Sequence, residues 1–206
     1  MYKKKNFKTN QEEFWSKDFG SKYIKRNIKA NNRINTIGNA LLRNQVKLKS
    51  ALELGCNVGY NLEALKKIYQ KIDLHGVEIN SKAYEIAKKY YSCYNQSLLE
   101  FETKNKFDLV FTAGVLIHQD PKYLKKIYKK MHDLSKKYIY ISEYFSDKPV
   151  MIKYRNHQNK LFKRDFAKDI ITQFPKLKIV DYGFHWKEDP LLKGNCDNNN
   201  WFLFKK

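Results

Sequence analysis

The chain has 206 residues, 42% of them apolar, 30% charged and 15% aromatic, which suits one domain with a real core and excludes a disordered protein. Its longest uncharged apolar run, Leu109 to Ile117, falls far short of the about 20 residues of a membrane helix, and three scattered cysteines exclude a disulfide scaffold and a cysteine-based zinc site. The formal net charge is +20.

Residues 11–28 read as a helix with Phe14, Tyr23 and Ile24 among its apolar positions, and 34–46 as a second. Ser50 to Leu54 reads as a buried strand, followed by the turn Gly55-Cys-Asn-Val-Gly59 and a helix over 60–70. Asp73 to Glu78 is a second strand, 81–91 a helix, and Ser92 to Asn95 a short third strand. Phe107 to Thr112 is a fourth strand. Pro121 suits the first turn of a helix striped by Leu124, Ile127, Tyr128, Met131 and Leu134. Tyr138 to Ser142 is a fifth strand, 145–160 reads as irregular, and 161–174 as helical. Leu177 to Phe184 and Trp201 to Phe204 are two last strands with no room for a helix between them, so they pair as a hairpin. This alternation predicts an α/β fold: a Rossmann-like, doubly wound seven-stranded sheet, mostly parallel, with one antiparallel strand near the C-terminus. That layout resembles the one of class I methyltransferases. A helical cap over 1–47 precedes the domain over 48–206.

Glu53-Leu-Gly-Cys-Asn-Val-Gly59 lies between a strand and a helix. Gly55 permits close backbone approach to a ligand, Asn57 tolerates left-handed backbone in the tight turn, and Gly59 opens a helix whose amides face the crevice. Glu78, at the end of the next strand, is placed to accept hydrogen bonds from ribose hydroxyls. The G-x-x-x-G spacing is not the three-glycine dinucleotide fingerprint, and Glu53 would repel a pyrophosphate. It suits the ammonium and sulfonium of S-adenosylmethionine, though a buried acid capping helix amides would also explain it.

The chain resembles the class I S-adenosylmethionine-dependent methyltransferases, and more narrowly the pseudaminic acid biosynthesis-associated methylases. The resemblance runs through Glu13-Phe-Trp15, Phe19-Gly20 and Tyr23 to Asn27, Leu52 to Gly55 with Gly59, Gly76 to Asn80, and Gly114 to His118 with Pro121. It continues in Tyr154-Arg-Asn-His157, Leu161 to Phe166 and Asp181 to Phe184. Asn57 stands where the superfamily commonly has a middle glycine. The resemblance implies that Asn95 to Ser97 contact adenine and that His118 is the superfamily histidine after the fourth strand; a plain surface turn and a structural histidine are the competing readings. It also implies an acceptor of the pseudaminic acid or surface-glycan type.

Thr112 ends the fourth strand beside the expected position of the methyl group. Glu143 and Tyr144 end the fifth, close to Tyr154, Arg155 and His157. His157 is the first candidate for a general base, with His118 and Glu143 behind it. Arg155 and Arg164 have the guanidinium fork that suits an anionic acceptor, though a solvated helix start explains them too. Trp15, Phe19, Tyr23 and Arg26 form a candidate lid, with Arg26 facing the methionine carboxylate; ordinary helix packing is the alternative. His75 and His185 read as structural and His132 as solvated.

Thirty-six of the 41 basic residues are lysine, and Lys, Asn, Ile and Tyr, which A/T-rich codons encode, make up 86 residues. Codon composition therefore explains much of the charge. Thr112-Ala-Gly-Val115 stands where amine-methylating nucleic-acid enzymes carry their Asn/Asp-Pro-Pro-aromatic tetrad. The expectation is a cytoplasmic enzyme with S-adenosylmethionine as cofactor, no metal, no membrane segment, and a small polar anionic acceptor such as a sugar or nucleotide-sugar. An RNA or DNA methyltransferase, or a non-catalytic S-adenosylmethionine-binding module, are the rivals.

Overall fold

The computed structural model describes residues 7–26, 33–192 and 196–206. The end of the helix expected over 11–28 lies outside them. The elements run α1 (Asn10–Ser16), α2 (Asp18–Arg26), α3 (Ile37–Arg43), β1 (Ser50–Leu54), α4 (Tyr60–Ile68), β2 (Asp73–Val77), α5 (Ser81–Ala87), β3 (Ser92–Tyr94) and β4 (Phe107–Ala113). They continue with α6 (Leu124–Leu134), β5 (Ser135–Glu143), β6 (Val150–Tyr154), β7 (His157–Lys163), α7 (Phe166–Gln173), β8 (Lys178–His185) and β9 (Asn199–Lys205).

Seven strands form one sheet in the order β3-β2-β1-β4-β5-β9-β8. Pairs β3–β2, β2–β1, β1–β4 and β4–β5 are parallel, and β9 runs antiparallel to both of its neighbours. The expected seven-stranded sheet with one reversed strand is thus present. Alternate side chains go to opposite faces, as the pleat demands. Leu52, Leu54, Val110, Ile139 and Phe204 pack toward α6 and α7, while Ala51, Leu109, Phe111, Tyr140 and Leu203 pack toward α3 and α4. Phe111 is therefore core. Because β1 and β4 are adjacent but not consecutive, the chain reverses its direction of travel between them, and a crevice opens at their C-terminal ends.

The segment expected to be irregular is instead a hairpin, β6–β7, with Tyr154 opposite His157. Its two-residue turn, Arg155-Asn156, has positive φ at both positions, +46° and +69°, the geometry whose twist matches paired strands. The helix expected over 161–174 shortens to α7, because β7 consumes residues up to Lys163 and Asp165 caps the helix by accepting from the Lys168 amide. His132, expected in solvent, stacks flat on Phe174 at 4.1 Å. No described helix is long and apolar enough to cross a membrane.

Candidate active site

The turn after β1 is held by the end of β2. Gly55 and Cys56 amides both donate to the Val77 carbonyl, and Gly55 has φ +82°, with a side chain there colliding with Val115 at 2.7 Å. Asn57 is left-handed, φ +49°, as its small polar side chain permits. Its amide donates to Glu78 Oε2 at 2.8 Å, and the Asn80 amide donates to Glu78 Oε1 at 2.7 Å, which fixes the carboxylate at the crevice edge. Gly59 opens α4 with φ +91°.

Glu53 is 1% exposed. Its Oε1 accepts from Asn61 Nδ2 at 2.6 Å, while its Oε2 is buried with no hydrogen-bond partner among the described residues. Burial pushes its pKa up to about 8, against the lowering effect of Asn61 and Arg33. Its carboxyl lines the crevice together with Gly55, Asn57 and Glu78.

The N-terminal helices lie over this edge. Glu12, buried, closes a capping box with Thr9 and also accepts from the Ser97 hydroxyl after β3. Asn80 caps α5 with its oxygen and donates Nδ2 to the Trp15 carbonyl at 3.0 Å. Gln11, Glu12, Trp15 and Tyr23 line the crevice with Gln96, Ser97 and His118. Tyr23, Arg33, Asn61, Gly114 and His118 also border a second lobe of about 320 Å³. Arg26, Tyr144, Tyr154 and Arg155 line that lobe, as do Tyr140, His185 and Asn199.

His118 stands where the lobes meet. Its Nδ1 lies 2.6 Å from the Lys160 carbonyl, which can only accept, so Nδ1 carries the proton and Nε2 the lone pair. Burial lowers its pKa to about 4, leaving the ring neutral at physiological pH. Trp15 and Tyr154 flank the ring, with centroids at 4.6 and 4.9 Å.

Several expected site residues stand elsewhere. His157, at the exposed tip of the β6–β7 hairpin, packs its ring against Phe14 and Phe19 and is not among the residues lining either lobe, whereas His118 lines both. Glu143 and Thr112 are also absent from the lining. Glu143 is 3% exposed and accepts from Thr112 Oγ1 and the Val115, Leu116 and Ile117 amides at 3.1–3.3 Å. Burial raises its pKa to about 7. It anchors the loop that carries His118. Asn95 donates back to the Glu78 and Ile79 carbonyls at the end of β2, leaving Gln96 and Ser97 to face the crevice. Arg164 pairs with Asp169 at 2.7 Å, outside both lobes. Arg26 lies over the Phe19 and Tyr23 rings and lines only the second lobe.

Sequence reasoning missed Arg33, which lines both lobes and lowers the Glu53 pKa. Its scarcity as one of five arginines was the available signal. It also missed Asn61, on the first turn of α4, and His185, which lines the second lobe instead of serving only as a strand end.

The donor set fits S-adenosylmethionine: an unpartnered buried carboxylate oxygen for an ammonium, a fixed carboxylate at the β2 end for ribose hydroxyls, and a turn at Gly55 without room for a side chain. Residues 51–137 match the family described as "Methyltransferase domain". The magnesium protoporphyrin IX methyltransferase of Synechocystis PCC 6803, solved with bound S-adenosylmethionine, superposes with TM-score 0.69 at 13% identity, over 98% of this chain and all of that one. The 1,6-didemethyltoxoflavin-N1-methyltransferase of Burkholderia thailandensis gives 0.69 at 15% identity, over 95% and 86%. An uncharacterized protein of Mycoplasma genitalium is 27% identical over 172 residues, 78% of this chain; the chain spans only 36% of that relative's length. Residues 51–137 match a methyltransferase-domain family, and the sheet that carries them has the class I methyltransferase fold of these structures.

Proposed function

We propose that the protein is an S-adenosylmethionine-dependent methyltransferase of a small polar acceptor, an anionic sugar or nucleotide-sugar of the surface-glycan type. The observation that carries this reading is the two-lobed crevice at the C-terminal ends of β1, β2 and β4, with His118 at the junction. The first lobe holds the cofactor: Glu53 Oε2 takes the ammonium, Glu78 the ribose, and Gln96 and Ser97 lie along the adenine side. When bound, the cofactor supplies an electrophilic methyl group.

What the chain adds is position and dryness. Trp15 and Tyr23 cover the opening, and the clasps from Asn80 and Ser97 hold α1 in place, so water is kept from the transfer geometry. His118 Nε2 removes the acceptor hydroxyl proton, its ring oriented by the Lys160 carbonyl. Arg26 and Arg155, at the second lobe, meet the acceptor's anionic group. The test is titration calorimetry with S-adenosylhomocysteine, followed by methyl transfer from labelled S-adenosylmethionine to a panel of free and nucleotide-linked acidic sugars. Absence of S-adenosylhomocysteine binding overturns the reading.

A further inference from the structure

Among the described residues, three buried polar atoms of side chains that line the second lobe lack a well-formed hydrogen bond: Tyr140 Oη, which has only Ser142 beside it, His185 Nδ1 and Asn199 Oδ1. Tyr140 and His185 are 1% and 5% exposed. They come from different strands. Tyr140 lies in the middle of β5, His185 ends β8, and Asn199 starts β9, so the sheet itself brings them to one wall. Trp201 backs both rings, with centroids at 6.2 Å from Tyr140 and 6.1 Å from His185. Asn199 is turned by its Nδ2, which donates to Ser142 Oγ at 2.6 Å and leaves Oδ1 unused.

Buried polar atoms without partners cost stability, and three on one wall of one cavity mark a place where a ligand completes the bonding. Resting on the methyltransferase reading above, we infer that Tyr140, His185 and Asn199 form a subsite for the neutral, hydroxyl- or amide-bearing end of the acceptor, which leaves its anionic group at Arg26 and Arg155. The wall carries no charge. Burial raises the Tyr140 pKa, so it remains a phenol donor, and burial with Arg33 lowers that of His185 to about 4, so it remains neutral. A phenol that donates, an amide oxygen that accepts and an imidazole with one of each suit hydroxyl and acylamino groups, which also do both. A carboxylate or phosphate placed there would meet the Asn199 oxygen and an imidazole lone pair, neither of which donates to it. The cations of the lobe are Arg26 from α2, Arg155 from the β6–β7 turn, and Arg33, whose charge reaches Tyr140 and His185. The acceptor class is a hydroxyl-rich organic anion bound polyol end inward.

The experiment loads the protein with S-adenosylhomocysteine and titrates it by calorimetry with glucuronate, a hexose phosphate, glucose, benzoate and phenyl phosphate. The inference expects glucuronate or the hexose phosphate to bind, the two arms separating a carboxylate from a phosphate, and expects glucose, benzoate and phenyl phosphate to bind at least tenfold more weakly, having only one of the two features. Tyr140→Phe and His185→Gln should each weaken the binding of the hydroxylated anion about five- to tenfold, the loss of one hydrogen bond, with S-adenosylhomocysteine affinity unchanged. Arg155→Ala should weaken it while sparing the cofactor. If S-adenosylhomocysteine binds but neither hydroxylated anion does, or if both wall variants bind it as the parent does, the subsite assignment is overturned and the methyltransferase reading stands. If S-adenosylhomocysteine itself does not bind, both fall together.

Discussion

Glu53→Gln isolates the electrostatics of the cofactor lobe. Glu53 is buried, with Oε1 committed to Asn61 and Oε2 unpartnered, and its pKa stands at about 8. At pH 7 the empty site therefore holds mostly the neutral acid. An ammonium against Oε2 requires the carboxylate, so binding S-adenosylhomocysteine must expel a proton. That step costs about 1.4 kcal/mol at pH 7, one unit below the pKa, and vanishes above it. Affinity should rise on the order of tenfold between pH 6.5 and pH 8, with close to one proton released per ligand near pH 7. Glutamine keeps the Asn61 contact and the volume but cannot ionise, so the variant should bind more weakly at pH 8 and show neither the slope nor the proton release. Calorimetry in two buffers of different ionisation enthalpy counts the protons directly. An unchanged pH slope in Glu53→Gln, or no proton release in the parent protein, would place the ammonium elsewhere.

His118→Ala should reduce kcat by about 10²- to 10⁴-fold with S-adenosylhomocysteine affinity within twofold of the parent, whereas His157→Ala, at a residue that lines neither lobe, should leave kcat within about threefold. Steady-state kinetics on the two variants decides between these imidazoles. With the His118 pKa near 4, the pH–rate profile of the parent should show no histidine limb between about pH 5 and 8. Glu143→Ala strips four donors of their acceptor and should destabilise by about 3–4 kcal/mol, read by urea denaturation, with loss of the loop that carries His118. The raised pKa of Glu143 means that the folded state binds the extra proton, so its contribution to stability is lost as pH rises from about 4.5 through about 7. Glu143→Gln should flatten that part of the stability–pH curve.

The sheet was legible because its signal is strong and local. Buried strands such as Phe107–Ala113 and striped helices such as Leu124–Leu134 write their period directly into the sequence. The turn from Gly55 to Gly59 and the acid Glu78 were legible for a related reason: their spacing is set by one strand–turn–helix unit. The hairpin of β6 and β7 was not, because most of its strand residues are exposed and its turn, Arg155-Asn156, lacks the glycine that usually marks positive φ. That one miss misplaced His157. Thr112 and Glu143 were read as crevice residues because they end their strands at the right edge, but the sequence does not say that a carboxylate and three amides of the next loop will satisfy each other. Tyr140, His185 and Asn199 meet only through the order β5-β9-β8, a tertiary fact that no local pattern carries.

The distribution of the five arginines bears on the +20 charge. Arg26, Arg33 and Arg155 line the second lobe, Arg43 forks onto Asp181 with two bonds of 2.5 Å, and Arg164 pairs with Asp169. Among the described residues, no lysine lines either lobe of the crevice. The lysines that set the net charge therefore occupy a different surface from the chemistry, where salt screens them over about 8–10 Å. Arginine is retained where a planar, permanently charged fork has a geometric partner, and lysine is used where any soluble residue suffices. If the acceptor were a nucleic-acid backbone, its phosphates would track cations continuously from the crevice outward, and activity would fall steeply with salt. Three clustered guanidinium groups around one lobe suit a single small anion. Methyl transfer to the acceptor should accordingly keep most of its rate between 50 and 200 mM salt, whereas a loss of ~10³-fold over that range would return the lysine surface to the mechanism.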